Sequence, residues 1–202
     1  MSEEEDIGQL DITDEMIAEG RSYTGVMPDD MPKYMAKTIL AIDLFSLRTG
    51  QFACWLTVPV FVSMFIEVVG RHFFNAPTMW AYDVSRMFAG AMFMLGAGYA
   101  LSKGVHIRAD FMYRKWPIKT QAKIDLSLYV LFYFPGMIGA AWACYGYAYK
   151  SWIRMDRGMD TAWMPLLYPI KSILFLGFVL LLIQGISEVL KCVYAYKNGR
   201  WP

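Results

Sequence analysis

Four long apolar segments constrain the fold of this chain more than any other feature. They cover residues 52–69, 84–102, 124–148 and 170–193. A bilayer core of about 30 Å takes about 20 helical residues, because each residue adds about 1.5 Å along a helix. All four segments fall within the usual length range. The sequence therefore predicts an all-α integral membrane protein with four transmembrane helices.

The composition supports a membrane protein, and the acidic side chains are concentrated at the N-terminus. Hydrophobic residues make up 56% of the chain, whereas about 45–50% is usual in soluble domains. Residues 1–30 hold ten acidic side chains and one basic side chain, Arg21. They lack the basic start and the cleavage site of a signal peptide, so we expect the first apolar segment to remain in the protein.

The residues just before the first apolar segment combine apolar and charged side chains. Leu40 and Leu44 alternate with Lys37 and Asp43. This pattern is typical of an amphipathic helix that lies on a membrane surface. The expected organisation is an acidic mobile tail, an amphipathic lead-in helix, a four-helix membrane domain and a C-terminal tail, over residues 1–33, 34–51, 52–193 and 194–202.

Lysines and arginines are unequally distributed between the two ends of the predicted helices. Thirteen belong to the end that carries both termini and the connection between the second and third spans, and six belong to the other end. Positive residues are enriched on the cytoplasmic side of membrane proteins. We therefore expect both termini in the cytoplasm.

The connection between the first two spans, over residues 71–88, is too polar to cross a membrane and too apolar for an ordinary solvated loop. Thr78 is the expected N-cap of the helix that follows. Asp83 complements the dipole of its first turn, with Arg71 as the expected ion-pair partner. Trp80 suits the depth of the lipid headgroups. The segment is predicted to be either an interfacial amphipathic arm helix or a short connector.

Polar side chains occur near the ends of two predicted spans. Glu67 lies one turn from the end of the first span, where it either pairs with Arg71 or contacts a partner protein. Gln184 and Glu188 share a face of the fourth span near Lys191. We interpret this face as a polar cluster at the membrane interface rather than as a proton relay.

Small residues recur every four positions in the third span, at Gly136, Ala140, Cys144 and Ala148. Helices in lipid associate through small residues, because lipid gives no hydrophobic reward for association. The stripe is expected to pack either against a partner protein or against the chain's own helices.

Histidines are too few and too far apart for a haem-binding membrane oxidoreductase. His72 and His106, the two histidines of the chain, belong to opposite ends of the predicted helices, about 30 Å apart. His106 and Asp110 stand four residues apart, but two ligands make a weak metal site. We expect them to cap or hydrogen-bond the connection that contains them, and we predict no enzyme, no metal site and no cofactor.

A longer pattern resembles a known family. The run RHFFNAPTMWAYDVSRMFAGAMFMLGAGYALSKGVHIRADFMYRKWP and the later run TAWMPLLYPIKSILFLGFVLLLIQGISEVL are similar to parts of the small membrane subunit of tripartite ATP-independent periplasmic (TRAP) transporters. The positions that carry the resemblance are Arg71, Asn75, Pro77, Trp80, Asp83, Leu95, Gly96, Gly104, His106, Asp110, Trp163, Pro165, Pro169, Gly177, Gln184 and Gly185. The chain departs from the family in having one acidic residue after Trp80 where two adjacent ones are usual, and in its longer acidic N-terminus.

The resemblance implies a scaffold in the bacterial inner membrane. In this family the small subunit binds a large multi-span permease, which carries the sodium and substrate sites, and a periplasmic solute-binding protein delivers the solute. The expected partners are these two proteins and membrane lipids, with no nucleic acid, and the expected cargo is a small organic anion. A second hypothesis keeps the same fold but makes the chain a structural subunit of another membrane complex.

Overall fold

The protein is described by a computed structural model that covers residues 28, 30–103, 116–159 and 161–201. Most of these residues are helical. The α-helices within these described residues are α1 (Lys33–Trp55), α2 (Thr57–Phe73), α3 (Ala81–Ser102), α4 (Ile118–Leu128), α5 (Phe134–Arg154) and α6 (Tyr168–Asn198). A π-helical turn, Tyr129–Tyr133, joins α4 to α5. The predicted acidic tail lies almost entirely outside the described residues.

The prediction of four transmembrane helices is confirmed. The candidate spans are Lys33–Phe73, Ala81–Ser102, Ile118–Arg154 and Tyr168–Asn198, each long and apolar enough to cross a membrane. The first and third contain 41 and 37 residues, or about 60 and 55 Å of helix, so both exceed a bilayer core of about 30 Å. The helix runs through residue 51 without interruption, and the point where the lead-in helix gives way to the first span stays a prediction.

Two prolines explain where the long spans depart from regular helix. The break between α1 and α2 falls at Leu56, close to Pro59, which has no N–H to donate to the preceding turn. In the third span, Pro135 leaves the carbonyl of Leu131 without its usual donor. There Phe134 N–H donates to the Tyr129 carbonyl five residues earlier, which is the hydrogen-bond pattern of a π-helix.

Helix α6 is the central element of the bundle. It packs against α1, α3, α4 and α5, whereas α2 packs chiefly against α3. We call the end of the bundle formed by residues 74–80 and 155–167 the turn end. The terminal end is the opposite one, where Ile39 of α1 packs against Tyr194 of α6.

Helix α1 has its polar and apolar faces reversed relative to a helix in water. Asp43, Ser46 and Gly50 are buried, while Leu44 and Phe45 are more than half exposed. The sequence pattern predicted the opposite for Asp43, which we expected on a polar face of a surface-lying helix. Small and polar residues facing other helices, with apolar residues facing outward, are typical of packing in lipid.

Candidate functional site

The local fold at the end of α2 sets up a polar cluster around Glu67. Asn75 takes a left-handed backbone conformation with φ 49°, which Asn tolerates better than most residues. Ala76 N–H then donates to the Gly70 carbonyl at 3.0 Å. The helix ends here, and the chain turns back so that Thr78 reaches Glu67.

Every oxygen of the Glu67 carboxylate has a partner. Arg71 Nε donates to Oε1 at 3.1 Å, and Thr78 N–H donates to Oε2 at 2.8 Å. The Thr78 hydroxyl donates to the same Oε2. Glu67 is buried at 8% exposure, and these contacts compensate for removing its charge from water. The expected pairing with Arg71 is present, but Thr78 is not the N-cap of α3, because Trp80 holds that position.

Asp83 forms a second buried site in the first turn of α3. Its side chain is 1% exposed, and the Thr161 hydroxyl donates to its Oδ2. Arg86 Nη2 lies 3.5 Å from Oδ1. The predicted ion pair with Arg71 is therefore wrong: Arg86, one turn along the same helix, takes that place. Asp83 ties α3 to the loop between α5 and α6.

The segment between the two carboxylates is a turn rather than a separate arm helix. Residues 74–80 are not helical, and α3 begins at Ala81 and runs unbroken to Ser102. Trp80 directly precedes the helix and is 36% exposed. Beside it lies an open groove of about 520 Å³, whose lining includes Glu67, Thr78 and Thr161.

The loop between α5 and α6 is held in place by its own contacts. Asp156 accepts a hydrogen bond from Lys171 Nζ at 2.9 Å, and Leu167 N–H donates to the Asp156 carbonyl at 3.0 Å. Arg157 and Leu166 form an isolated antiparallel bridge. The hydrogen bond from Lys171 is the main reason that the pKa of the Asp156 carboxyl is lowered, although partial desolvation opposes it. The sequence showed no signal for this pair, which is 15 residues apart.

A buried polar network connects α1 to α6 near the terminal end. Asp43 Oδ1 accepts hydrogen bonds from Gln184 Nε2 and Ser187 Oγ, both at 2.8 Å. Ser46 Oγ donates to Gln184 Oε1 at 2.6 Å. All four side chains are buried, and Gln184 and Ser187 have no exposed surface.

Lys191 completes the network with two carboxylates. Its Nζ lies 2.8 Å from Asp43 Oδ2 and 2.8 Å from Glu188 Oε1. The expected polar face formed by Gln184, Glu188 and Lys191 is therefore present. Its partner Asp43 was missed, because nothing in the sequence indicates that a charged residue of the lead-in helix faces the fourth span.

The small residues of the third span do not form one packed stripe. Gly136 is exposed, and no other group lies within 4 Å of the point that a Cβ would occupy there. Ala140 is half-buried, and the buried positions of α5 include Ala141 and Ala148. A packing role for Gly136 within this chain is therefore wrong, whereas a contact with a partner protein stays a prediction.

The closest helix approaches occur at other glycines. A Cβ on Gly185 would lie 2.5 Å from Tyr133 Cε1, one on Gly50 would lie 2.6 Å from Tyr99 Cβ, and one on Gly177 would lie 2.9 Å from Met94 Cβ. Gly177 and Gly185 belong to α6 and Gly50 belongs to α1, so these glycines let α6 pack closely against its neighbours and α1 pack closely against α3.

His106 and Asp110 lie outside the described residues, so their expected role in the connection between α3 and α4 stays a prediction. Among the residues that the structure does describe, no group of three or more His, Cys, Asp or Glu side chains is arranged to hold a metal ion.

One comparison with known proteins gives a match. Residues 60–194 match the family model described as tripartite ATP-independent periplasmic transporters, DctQ component. The match covers more than half of the chain and includes α3, α4, α5 and most of α2 and α6. Neither the curated proteins nor the solved structures gave a match.

Proposed function

The chain belongs to the family of DctQ components of tripartite ATP-independent periplasmic transporters, and we propose that it is the scaffold subunit of a sodium-driven importer of a small organic anion. It binds and stabilises a large multi-span permease subunit in the bacterial inner membrane. A periplasmic solute-binding protein delivers the solute to that complex. The turn end faces the periplasm, and both termini lie in the cytoplasm.

The family match carries this proposal, and the pairing of the buried charges supports a scaffold rather than a transport pathway. A pathway through a membrane protein exposes polar groups to a water-filled cavity. In the described part of the chain, each buried charged side chain instead contacts other groups of the same chain; these residues are Asp43, Glu67, Asp83, Asp125, Lys171, Glu188 and Lys191.

The outward apolar surface supports binding to another membrane protein. In the most apolar 18-residue stretch of the first span, and likewise of the third span, only 11% is buried within the protein. Phe61 on α2 and Trp142 on α5 are 69% and 79% exposed. The outward faces of these two long spans therefore leave room for the helices of a large partner.

The orientation rests on the unequal distribution of positive residues. Thirteen lysines and arginines belong to the terminal end and to the connection between α3 and α4, against six at the turn end. This bias favours a cytoplasmic terminal end.

The first test is co-purification. A tag on the C-terminus, extraction in a mild detergent and mass spectrometry of the bound chains should recover a near-stoichiometric large permease. Recovery of an unrelated membrane complex without any permease would overturn the transport proposal and favour a recruited structural subunit. Sodium-dependent uptake of candidate organic acids by vesicles that contain the recovered complex then tests the cargo and the driving ion.

Trp80→Ala tests whether the turn end contributes to assembly. The indole is partly exposed next to Met79, which is 66% exposed, so Met79→Ala is a matched control. We expect Trp80→Ala to lower the yield of the complex without changing which solute is carried, whereas Met79→Ala leaves the yield nearly unchanged. Intact assembly together with an altered solute preference would contradict the scaffold role.

A further inference from the structure

A second groove, of about 450 Å³, lies in the turn-end half of the membrane bundle. It is lined mainly by α3 and α6, with Tyr147 from α5. Its apolar lining includes Met87 and Phe93 of α3 and Ile170 and Leu174 of α6. Gly90 also lines the groove, and a Cβ at that position would be in van der Waals contact with Ile170 Cδ1 at 3.7 Å. The volume is within the range of about 300–1,000 Å³ that is usual for ligand pockets.

The groove is apolar along its length but cationic at its mouth. Arg86, one turn before Gly90, lines the mouth and its side chain is 46% exposed. Lys171 also lines the mouth, where its Nζ lies 4.1 Å from the centre of the Tyr147 ring.

A third cation adds to this charge. Arg154 is exposed at the end of α5 and interacts electrostatically with Asp156, the partner of Lys171. The two cations that line the groove, Arg86 and Lys171, are paired with Asp83 and Asp156. Arg154 does not line the groove, but it adds positive charge next to the second of these pairs.

We propose that this groove binds one anionic phospholipid, with an acyl chain along the apolar walls and the headgroup phosphate at the cationic mouth. The half-exposed Arg86 side chain and the exposed Arg154 side chain bring positive charge toward the headgroup, which suits the single negative charge of phosphatidylglycerol. Guanidinium groups hydrogen-bond phosphate oxygens with matching geometry. This inference does not depend on the identity of the transported solute.

The test is lipid retention by the 202-residue chain. The protein is purified in detergent, incubated with phosphatidylglycerol and phosphatidylcholine of identical acyl chains, and examined by native mass spectrometry. We expect one phosphatidylglycerol per chain, retained about fivefold better than phosphatidylcholine, the factor that one positive charge contributes near an anionic lipid.

Two variants separate the groove from its mouth. Gly90→Leu fills the groove without changing charge and should abolish retention of both lipids. Gly96→Leu is the matched control on the same helix, because nothing lies within 4 Å of a Cβ at Gly96, and it should retain lipid like the parent chain. Arg154→Gln should bring the two lipids to nearly equal retention, whereas Arg48→Gln, at an exposed position on α1, should preserve the fivefold preference.

Three outcomes would overturn the proposal. Equal retention of the two lipids by the parent chain would show that the mouth does not select an anion. Unchanged retention of phosphatidylglycerol by Gly90→Leu would place the lipid elsewhere. Loss of the large permease from Gly90→Leu, with lipid retention by the isolated chain unchanged, would make the groove a binding surface for a protein helix.

Discussion

Glu67 at the turn end and Asp43 near the terminal end are both buried carboxylates in the same span, but their partners lie at very different distances along the chain. Glu67 is held by residues 4 and 11 positions away, whereas Asp43 is held by residues 141 and 144 positions away. The first site forms as soon as the chain turns. The second exists only when α1 and α6 have packed together, so it reports on the tertiary structure of the bundle.

Asp43→Ala is expected to have the largest effect, because it leaves Lys191 in a buried site with one of its two carboxylates missing. Removing one partner of a buried ion pair costs about 3–5 kcal/mol. Thermal unfolding in detergent, followed by circular dichroism, measures the loss. Leu44→Ala is the control on the neighbouring residue, whose side chain is 54% exposed. Similar losses for both variants would mean that the network does not hold α1 against α6.

Glu67→Ala should cost less, about 1–3 kcal/mol, because it leaves the Thr78 N–H and hydroxyl without their acceptor while the Arg71 guanidinium can reach water. The same unfolding experiment measures it. Glu67→Gln keeps an acceptor at this place and should lose less. If Glu67→Ala equalled Asp43→Ala in cost, the distinction between a locally formed and a tertiary site would not hold.

Arg71→Ala sharpens the comparison further. The side chain of Arg71 is 70% exposed, against 10% for Glu67, so its removal should cost no more than about 1 kcal/mol, as for other exposed ion pairs. A larger loss than for Glu67→Ala would show that the guanidinium, rather than the Thr78 contacts, stabilises the turn.

The smallest expected effect concerns pH and the loop at the turn end. The Asp156 pKa is lowered from its usual value of 3.8 by the Lys171 hydrogen bond. The ionised form therefore contributes stability that is fully present above pH 3.8 and is lost as the pH falls through the lower folded-state pKa. Unfolding midpoints measured from about pH 6 down to about pH 3 should decline more steeply for the parent chain than for Asp156→Asn. Parallel curves would contradict a role for this pair.

Local patterns in the sequence predicted much of the fold and of the turn end. Apolar length alone gave the four spans, and four-residue spacing gave the pair of Glu67 with Arg71. The wrong partner for Asp83 came from preferring a distant arginine over Arg86, which lies three residues along the same helix.

Tertiary packing accounts for the features that sequence reasoning missed. Asp43 alternates with apolar residues in a way that fits a helix on a membrane surface, and only contact with Gln184 and Lys191 reverses which face is inside. Gly136 fitted a packing stripe by spacing, yet it is exposed, whereas the buried positions of α5 are Ala141, Ala148 and Ser151. Spacing defines which residues share a face, but it does not tell which neighbouring helix that face meets.

The π-helical turn at Tyr129–Tyr133 has a genetic consequence. Ala122 of α4 and Ala141 of α5 are both buried, and both helices pack against α6. Nineteen residues of regular helix would set these two positions about 100° apart, and the one extra residue of the turn brings them onto the same side. Losing a single codon from this stretch would leave eighteen residues of regular helix, or five whole turns, so Ala122 and Ala141 would stay on the same side. Losing two codons would hardly alter the hydropathy or charge of the span, yet it would rotate one half of the span by about 100° away from the other.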